Sequence, residues 1–526
     1  LQAESQGSGR RSERNPPFES FRKRAAMPIE MKRRPILLNA ATTLGQVIGS
    51  AAILFFLYRF LIRSIGIERL GIWSLVLAAT SIVTLANSGF SVSIVKFVAK
   101  YAARENGKGV SDLVQTALIS VGLVVSVLSA ALYPGAKWLL EIILPSARVP
   151  EAIAILPLAL ASLWINLIVS VLQAGLAGHE LISECNFVEL GGSAAYLLSA
   201  FLFVPTCGLL GLAYSQTAVA ILSALATWLL LRRRIPHFPF FPRRWNRKLF
   251  REMVGYGLHF EFITMSQAMR EPVTKALLTK FGGLALVGYY DLASRWVVNF
   301  REMIVQTNQV LVPTVSRLRE REPGSIPFLY RESYRLIFFI SIPSFAILIA
   351  LSPLASLFWI GRFEPVFITF VVLLAAGWLT NILANPAYVV DLGTGALKWV
   401  SAGCAVTAIL NAALGYFGGK HWGGTAVVAA SVFSLAFGYM IVLASYHLEN
   451  HVPFAQLLPK ESSGIVIASL VGALIFLPFF SHSKNWSLLS PPVVALAALL
   501  AMIAIPMWVH PLRKRLLHWV FSRVAA

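Results

Sequence analysis

Apolar stretches of about 20 residues follow one another from Ile36 to Val509, and no polar interval between them is long enough to hold a folded domain. Each such stretch crosses the hydrocarbon core of a bilayer, roughly 30 Å thick, as a single helix. Lipid offers no partner for backbone N–H and C=O groups, so a chain made of these stretches folds as a helical bundle. Fourteen spans are predicted, at 36–62, 72–98, 112–133, 152–176, 186–205, 209–231, 254–281, 286–312, 336–359, 366–390, 396–417, 423–446, 463–481 and 491–511. Composition agrees. Charged residues make up 13% of the chain, against about 25% in soluble domains, and the mean hydropathy is +0.70.

The net charge of +21 has two explanations, nucleic-acid binding or positive charge held at one membrane face. Position separates them. With the N-terminus in the cytoplasm, 32 of the 45 lysines and arginines fall in cytoplasmic links and tails, ten lie at the opposite face, and Arg270, Arg295 and Arg301 remain inside spans. The bias places both termini in the cytoplasm and removes nucleic acid as a partner. The densest cluster, Arg232 to Arg251, is a link between spans. In it Trp245, Leu249 and Met253 recur every four residues, a pattern that predicts a short amphipathic interfacial helix. Residues 1–35 are polar and rich in Pro, Ser and Arg, and are expected to be disordered. They lack the apolar core of a signal peptide, and Met27 or Met31 is a candidate start.

An internal repeat subdivides the bundle. Gly66, Gly71, Trp73 and Leu75, after the first span, match Gly283, Gly288, Tyr290 and Leu292, after the seventh, at a constant offset of 217. Six is an even number of crossings, so the two halves share one orientation about an axis along the membrane normal. The expected fold is an all-α polytopic membrane protein with about 14 transmembrane helices, in two pseudo-symmetric six-helix lobes plus two C-terminal helices. The divisions are a disordered basic cytoplasmic tail (1–35), an N-lobe (36–231), a basic amphipathic cytoplasmic linker (232–253), a C-lobe (254–446), a cytoplasmic loop (447–462), the last two spans (463–511) and a basic cytoplasmic tail (512–526).

Polar residues inside spans are costly, so each needs a partner or a wet cavity. The eighth span carries Asp291, Arg295, Asn299, Glu302, Gln306 and Gln309 at spacings that fall on one helix face. That stripe either lines a cavity or packs in a structural network. Asp291 and Arg295 are placed to pair at i,i+4, and Arg301, off the stripe, is expected to meet another helix. The seventh span carries Glu261, Gln267, Arg270, Glu271 and Lys275 around Pro272, which frees the carbonyl of Ala268. The residues there form a kink that bends during transport or a static kink with local ion pairs. The first span shows a neutral stripe of Asn39, Thr43, Gln46 and Ser50. By the repeat it corresponds to the seventh, so both stripes are expected to face a shared central cavity.

The chain contains no P-loop, hence no built-in ATP engine. The segment His447 to His451 (HLENH) has the wrong order for a zinc motif. Cys185, Cys207 and Cys404 lie in apolar stretches without metal spacing. No external loop can carry an acceptor-binding catalytic domain, which argues against an enzyme and leaves secondary transport.

The Gly66-x4-Gly71-x-Trp73 link, the run LANSGFSVSIVKFVAKYAAR (Leu85–Arg104) and VGYYDLASRWV (Val287–Val297) resemble the Wzx-type polysaccharide and oligosaccharide-lipid flippases of the MOP exporter superfamily. Asn87 stands where many relatives have Asp. The resemblance implies two six-helix lobes around a V-shaped cavity that alternates between membrane faces. It also implies outward movement of an undecaprenyl-pyrophosphate-linked oligosaccharide or related polysaccharide precursor in a bacterial inner membrane. Basic residues would meet the pyrophosphate: Arg295 and Arg270, then Lys275, Arg301 and Lys96. Asn39, Gln46, Gln267, Asp291, Asn299 and Gln306 would line the cavity. Glu261, Glu271 and Glu302 are the candidates for coupling to a proton or sodium gradient. No cofactor or metal is expected. The partners are the lipid bilayer, the lipid-linked glycan, and a glycan polymerase and glycosyltransferases, with the protein acting as a monomer. The alternatives are a lipid II flippase, which usually has basic residues on the first span, a cation-coupled multidrug exporter, which often has an acid there, and a membrane enzyme of glycan assembly. The first span has neither.

Overall fold

A computed structural model describes residues 33–102, 104, 107–179, 181–235, 238–239, 241–309, 315, 318–319, 322–481 and 491–513. Along 33–41, 44, 82, 84–90, 92, 99, 102, 255–264, 306–309, 473–481 and 491–495 it describes the backbone alone. Among the described residues the chain is helical, without strands. The order is α1 (Arg33–Thr80), a 3-10 turn (Ser81–Thr84), α2 (Leu85–Ala102), α3 (Gly107–Ile143), α4 (Val149–Gly178), α5 (Ile182–Arg234), α6 (Arg247–Gly282), α7 (Leu284–Gln309), α8 (Ile326–Trp359), α9 (Pro365–Thr394), α10 (Lys398–Trp422), α11 (Gly424–Glu449), α12 (Ser463–Ser481) and α13 (Pro491–Val509).

Two of these helices are double crossings. A straight helix of 53 residues, as in α5, would run about 80 Å, far beyond a bilayer. It reverses at Gly208 (φ 56°, ψ −127°), and the backbone of Gly211 comes back against Phe203, where an added Cβ would lie 2.1 Å from the Phe203 carbonyl oxygen. Helix α1 breaks at Gly66 (φ 81°, ψ 166°), giving α1a (33–65) and α1b (67–80), the latter continued by α2. Gly283, between α6 and α7, takes nearly the same angles (φ 80°, ψ 172°). These backbone angles favour glycine, because a Cβ there meets the backbone. The two matched glycines of the repeat thus make the same turn in each half.

The first lobe comprises α1 to α5 and the second α6 to α11, while α12 and α13 pack on each other and on α8. The lobes meet where α1 crosses α7 and α2 crosses α6, which are equivalent pairs under the repeat. At this crossing the contacts are reciprocal. A Cβ on Gly71 would lie 2.2 Å from the carbonyl oxygen of Leu284, and one on Gly288 would lie 2.5 Å from that of Ile67. Gly71 matches Gly288 and Ile67 matches Leu284, so one contact is the image of the other, as at a two-fold interface. The matched aromatic and leucine positions of both copies, Trp73, Leu75, Tyr290 and Leu292, are all buried there.

The linker departs from its sequence pattern. No separate interfacial helix forms over Trp245, Leu249 and Met253. Helix α6 begins at Arg247, with the side chain of Asn246 accepting from the backbone N–H groups of Lys248 and Leu249, and runs without a break through Pro272 to Gly282. Met253 is fully buried, and its carbonyl accepts from Ser93 Oγ at 2.9 Å. Trp245 Nε1 donates to Ser120 Oγ at 3.0 Å. Met253 packs against the first lobe, while Trp245, about half exposed, reaches that lobe through its ring nitrogen.

Candidate functional site

The polar residues of α6 and α7 form a seam around one buried carboxylate and line two cavities. The seam centres on Asp291, 2% exposed. Lys275 Nζ lies 2.9 Å from Asp291 Oδ1 and 2.6 Å from Glu271 Oε1. Arg295 Nε lies 2.9 Å from Asp291 Oδ2, and Ser74 Oγ, from the other lobe, donates to Asp291 Oδ1 at 2.7 Å. A carboxylate buried at a helix crossing must be neutralised and hydrogen-bonded, and here two cations and a hydroxyl do both. The pairing of Asp291 with Arg295 follows the i,i+4 spacing. Two expectations are corrected. Asp291 lines neither cavity, and Lys275, 4% exposed, is enclosed by its two carboxylates and faces neither of them.

The first cavity, of about 350 Å³, lies inside the second lobe. Arg270, Arg301, Gln267, Trp378, Cys404 and Thr407 are among the side chains that line it. The guanidinium carbons of Arg270 and Arg301 sit 5.0 and 4.9 Å from the Trp378 ring centroid. Cation–π attraction of this kind holds a guanidinium without neutralising it. Arg270 Nη1 also donates to Ser431 Oγ at 3.3 Å. Thr274, whose hydroxyl bonds Asn411 Oδ1 and Ser431 Oγ at 3.2 Å each, ties that hydroxyl to α10. Among the described residues Arg270 forms no ion pair. Arg301 is held by Asn381 Oδ1 at 2.8 Å and pairs with its neighbour Glu302. As its off-stripe position implied, it reaches another helix, α9.

The second cavity, of about 130 Å³, lies between the lobes and is lined by Tyr58, Phe55, Arg295, Trp296, Asn299 and Trp359 among others. The Arg295 guanidinium rests 4.9 Å from the Tyr58 ring centroid. Phe55 and Trp296 also line an apolar groove on the flank of the molecule, together with Leu351, Leu354, Phe358 and Arg59.

Among the described residues of the α1a stripe, Thr43, Gln46 and Ser50 line neither cavity. Asn186 Nδ2, on α5, donates to Thr43 Oγ1 at 2.9 Å, Ser193 Oγ donates to Ser50 Oγ at 3.0 Å, and Gln46 Nε2 bonds Ser50 Oγ at 3.5 Å. Each stripe therefore turns into its own lobe, α1a toward α5 and α6 toward α10 and α11. Neutral hydroxyls and amides can satisfy one another across a close helix contact, as Thr43 and Ser50 do with α5, whereas Arg270 of α6 lines a cavity. Lys96 is exposed and lines neither cavity, with Nζ 5.9 Å from the Phe97 ring. Glu271 and Glu302 are engaged by Lys275 and Arg301. The side chains of Asn39, Glu261 and Gln306 lie outside the described residues.

Sequence reasoning missed Tyr58, Ser74, Trp378, Asn411 and Ser431. Only Ser74 carried a signal, since it stands at the repeat offset from Asp291. The others are single residues in apolar segments, with no periodicity to mark them.

A family model described as "Polysaccharide biosynthesis protein" matches residues 38–319, more than half of the chain. No curated protein sequence matches. Among solved structures, the lipid II flippase MurJ in an inward closed conformation superposes with a TM-score of 0.70 at 13% identity, covering 89% of this chain and 98% of that one. An inward-facing multidrug resistance MATE family transporter of the MOP superfamily gives 0.65 at 15% identity, covering 77% and 98%. A MOP superfamily transporter from Pyrococcus furiosus gives 0.59 at 14%, covering 79% and 96%. At these identities the likeness establishes a shared fold, the two-lobe helical fold of membrane transporters.

Proposed function

We propose, from the premise that the chain belongs to the polysaccharide biosynthesis protein family, that it is a flippase for a lipid-linked oligosaccharide or related polysaccharide precursor. The cargo would hang on an undecaprenyl-pyrophosphate-type carrier and move across a bacterial inner membrane by alternating access of the two lobes. The observation that carries this is the pair of guanidiniums held against Trp378 at the wall of a cavity bounded by the membrane-length helices α9, α10 and α11. Two like charges drawn to one ring repel each other, and Glu302 offsets only Arg301. A diphosphate supplies the missing negative charge and accepts several N–H groups at once, which suits arginine better than lysine.

A second feature fits cargo that is polar at one end and hydrocarbon at the other. Arg295 and Asn299 face the cavity between the lobes, and Phe55 and Trp296 line both that cavity and a groove on an apolar flank. The head of a lipid-linked glycan would pass the polar residues while its tail stays in the groove. The three-to-one excess of basic residues on one set of links supports an orientation with both termini in the cytoplasm.

The test is complementation of a flippase-null strain. Arg270→Gln and Arg301→Gln are expected to lower surface polymer at least about tenfold at unchanged protein level, the loss of one charge-assisted contact with phosphate being about 1.5–3 kcal/mol. Arg270→Lys should restore only part. Wild-type polymer in both glutamine variants would remove the cavity from the transport route.

A further inference from the structure

A third pocket, of about 500 Å³, lies away from the transport route. It sits between the start of α8, the end of α11 and the link that leads to α12. Its walls are preset: Tyr330 OH bonds His447 Nε2 at 2.7 Å, and Tyr334 OH donates to the Leu457 carbonyl at 3.0 Å. Of its charged residues, Arg335 is saturated by Glu332 at 3.0 Å and by Glu461. That leaves Arg331 and Lys460, which form no ion pair among the described residues. Among the described residues Gln456 Oε1, buried there, has no hydrogen-bond partner. Phe328 and Leu458, about half exposed, form an apolar rim.

Depth identifies the occupant. Helix α8 has 34 residues, about 50 Å of helix against a hydrocarbon core of about 30 Å, so its first turns stand at the level of the headgroups. Tyrosines gather at that level, and basic side chains there attract anionic lipid. The pocket offers two unneutralised cations, one buried acceptor that lacks a donor, and an apolar edge. A ligand that meets all three has a phosphate, a hydroxyl or ammonium donor beside it, and hydrocarbon chains.

We propose that this pocket binds the headgroup of an anionic phospholipid from the surrounding leaflet. Phosphatidylglycerol is the natural probe. Its phosphate would sit between Arg331 and Lys460, and a glycerol hydroxyl would donate to Gln456 Oε1, with the acyl chains passing Phe328 and Leu458. The site does not depend on what the transport cavities carry.

The full chain, purified from mixed-lipid nanodiscs into mild detergent, is examined by native mass spectrometry. Wild type is expected to retain phosphatidylglycerol over phosphatidylcholine. Arg331→Gln and Lys460→Gln should each lower that retention about fivefold, and Gln456→Leu should lower it while leaving both charges in place. Arg243→Gln with Arg244→Gln, on another link at the same face, should leave it unchanged. All of these side chains except Gln456 are exposed, so thermal stability is expected to hold. Equal retention of the two lipids, or unchanged retention in both charge variants, overturns the proposal. So does displacement of the lipid by inorganic phosphate, which would mark a site for soluble anions.

Discussion

Ser74 donates to Asp291 across the lobe interface at 2.7 Å, and the two residues stand 217 positions apart, the offset of the internal repeat. Each occupies the other's equivalent place, so this hydrogen bond lies at the pseudo-two-fold axis. The repeat supplied a serine in one half and an aspartate in the other. The aspartate collects Lys275 and Arg295 from its own lobe and Ser74 from the other. The residues that looked most like ligands therefore include two that hold the centre of the molecule together.

Asp291→Asn should destabilise the protein strongly, because it leaves Lys275 and Arg295, about one-third exposed, without their shared counter-charge. Removing one partner of a buried pair costs about 3–5 kcal/mol. Ser74→Ala loses one hydrogen bond to a charged acceptor, about 1.5–3 kcal/mol. Thermal unfolding in detergent gives the ranking, and an Asp291→Asn protein as stable as wild type would contradict the seam.

Gly71→Ala and Gly288→Ala should both force the lobes apart, since each new Cβ would lie within 2.5 Å of a carbonyl oxygen on the opposite lobe. Overpacking of this kind costs about 1–3 kcal/mol. Because the two contacts belong to one interface, the double variant should cost less than the two single costs combined. Full additivity in unfolding measurements would show that the contacts are independent.

Glu302 pairs with Arg301 at the cavity wall, so binding of a proton or sodium ion by Glu302 would release Arg301 for cargo. Glu302→Gln is expected to make transport independent of the ion gradient, with Glu261→Gln and Glu271→Gln as the comparisons. Flux is measured before and after the proton and sodium gradients are collapsed. Wild-type flux that survives the collapse rejects coupling at any of the three.

His179 lies in the link between α4 and α5, where burial lowers its pKa from the ordinary 6.5. Its Nε2 has no hydrogen-bond partner among the described residues. A lowered pKa means that the fold favours the neutral ring, so the unfolded chain takes up the proton first as pH falls. Stability should therefore decline below about pH 6.5. His179→Phe should be at least as stable at pH 7.5 and should lose that part of the acid slope. An unchanged slope in thermal unfolding between pH 7.5 and 5.5 would assign it to another group.

The sequence by itself determined the spans, the repeat and the pairing of Asp291 with Arg295, because each depends on spacing along one helix or on the cost of polar groups in lipid. Hydropathy and the glycine turns are local, so Gly66 and Gly283 announced the reversals that begin each half. Only the tertiary structure decided which polar residues face a cavity. Lys275 and Arg270 sit five positions apart on one helix, yet the first is enclosed by carboxylates from two helices and the second is held at a cavity wall by Trp378 and Ser431. That difference is set by what α7, α9 and α11 bring to the same place. Helix periodicity marks a polar face without saying which neighbour it will meet, and the identity of that neighbour separates a buried ion pair from a cationic cavity.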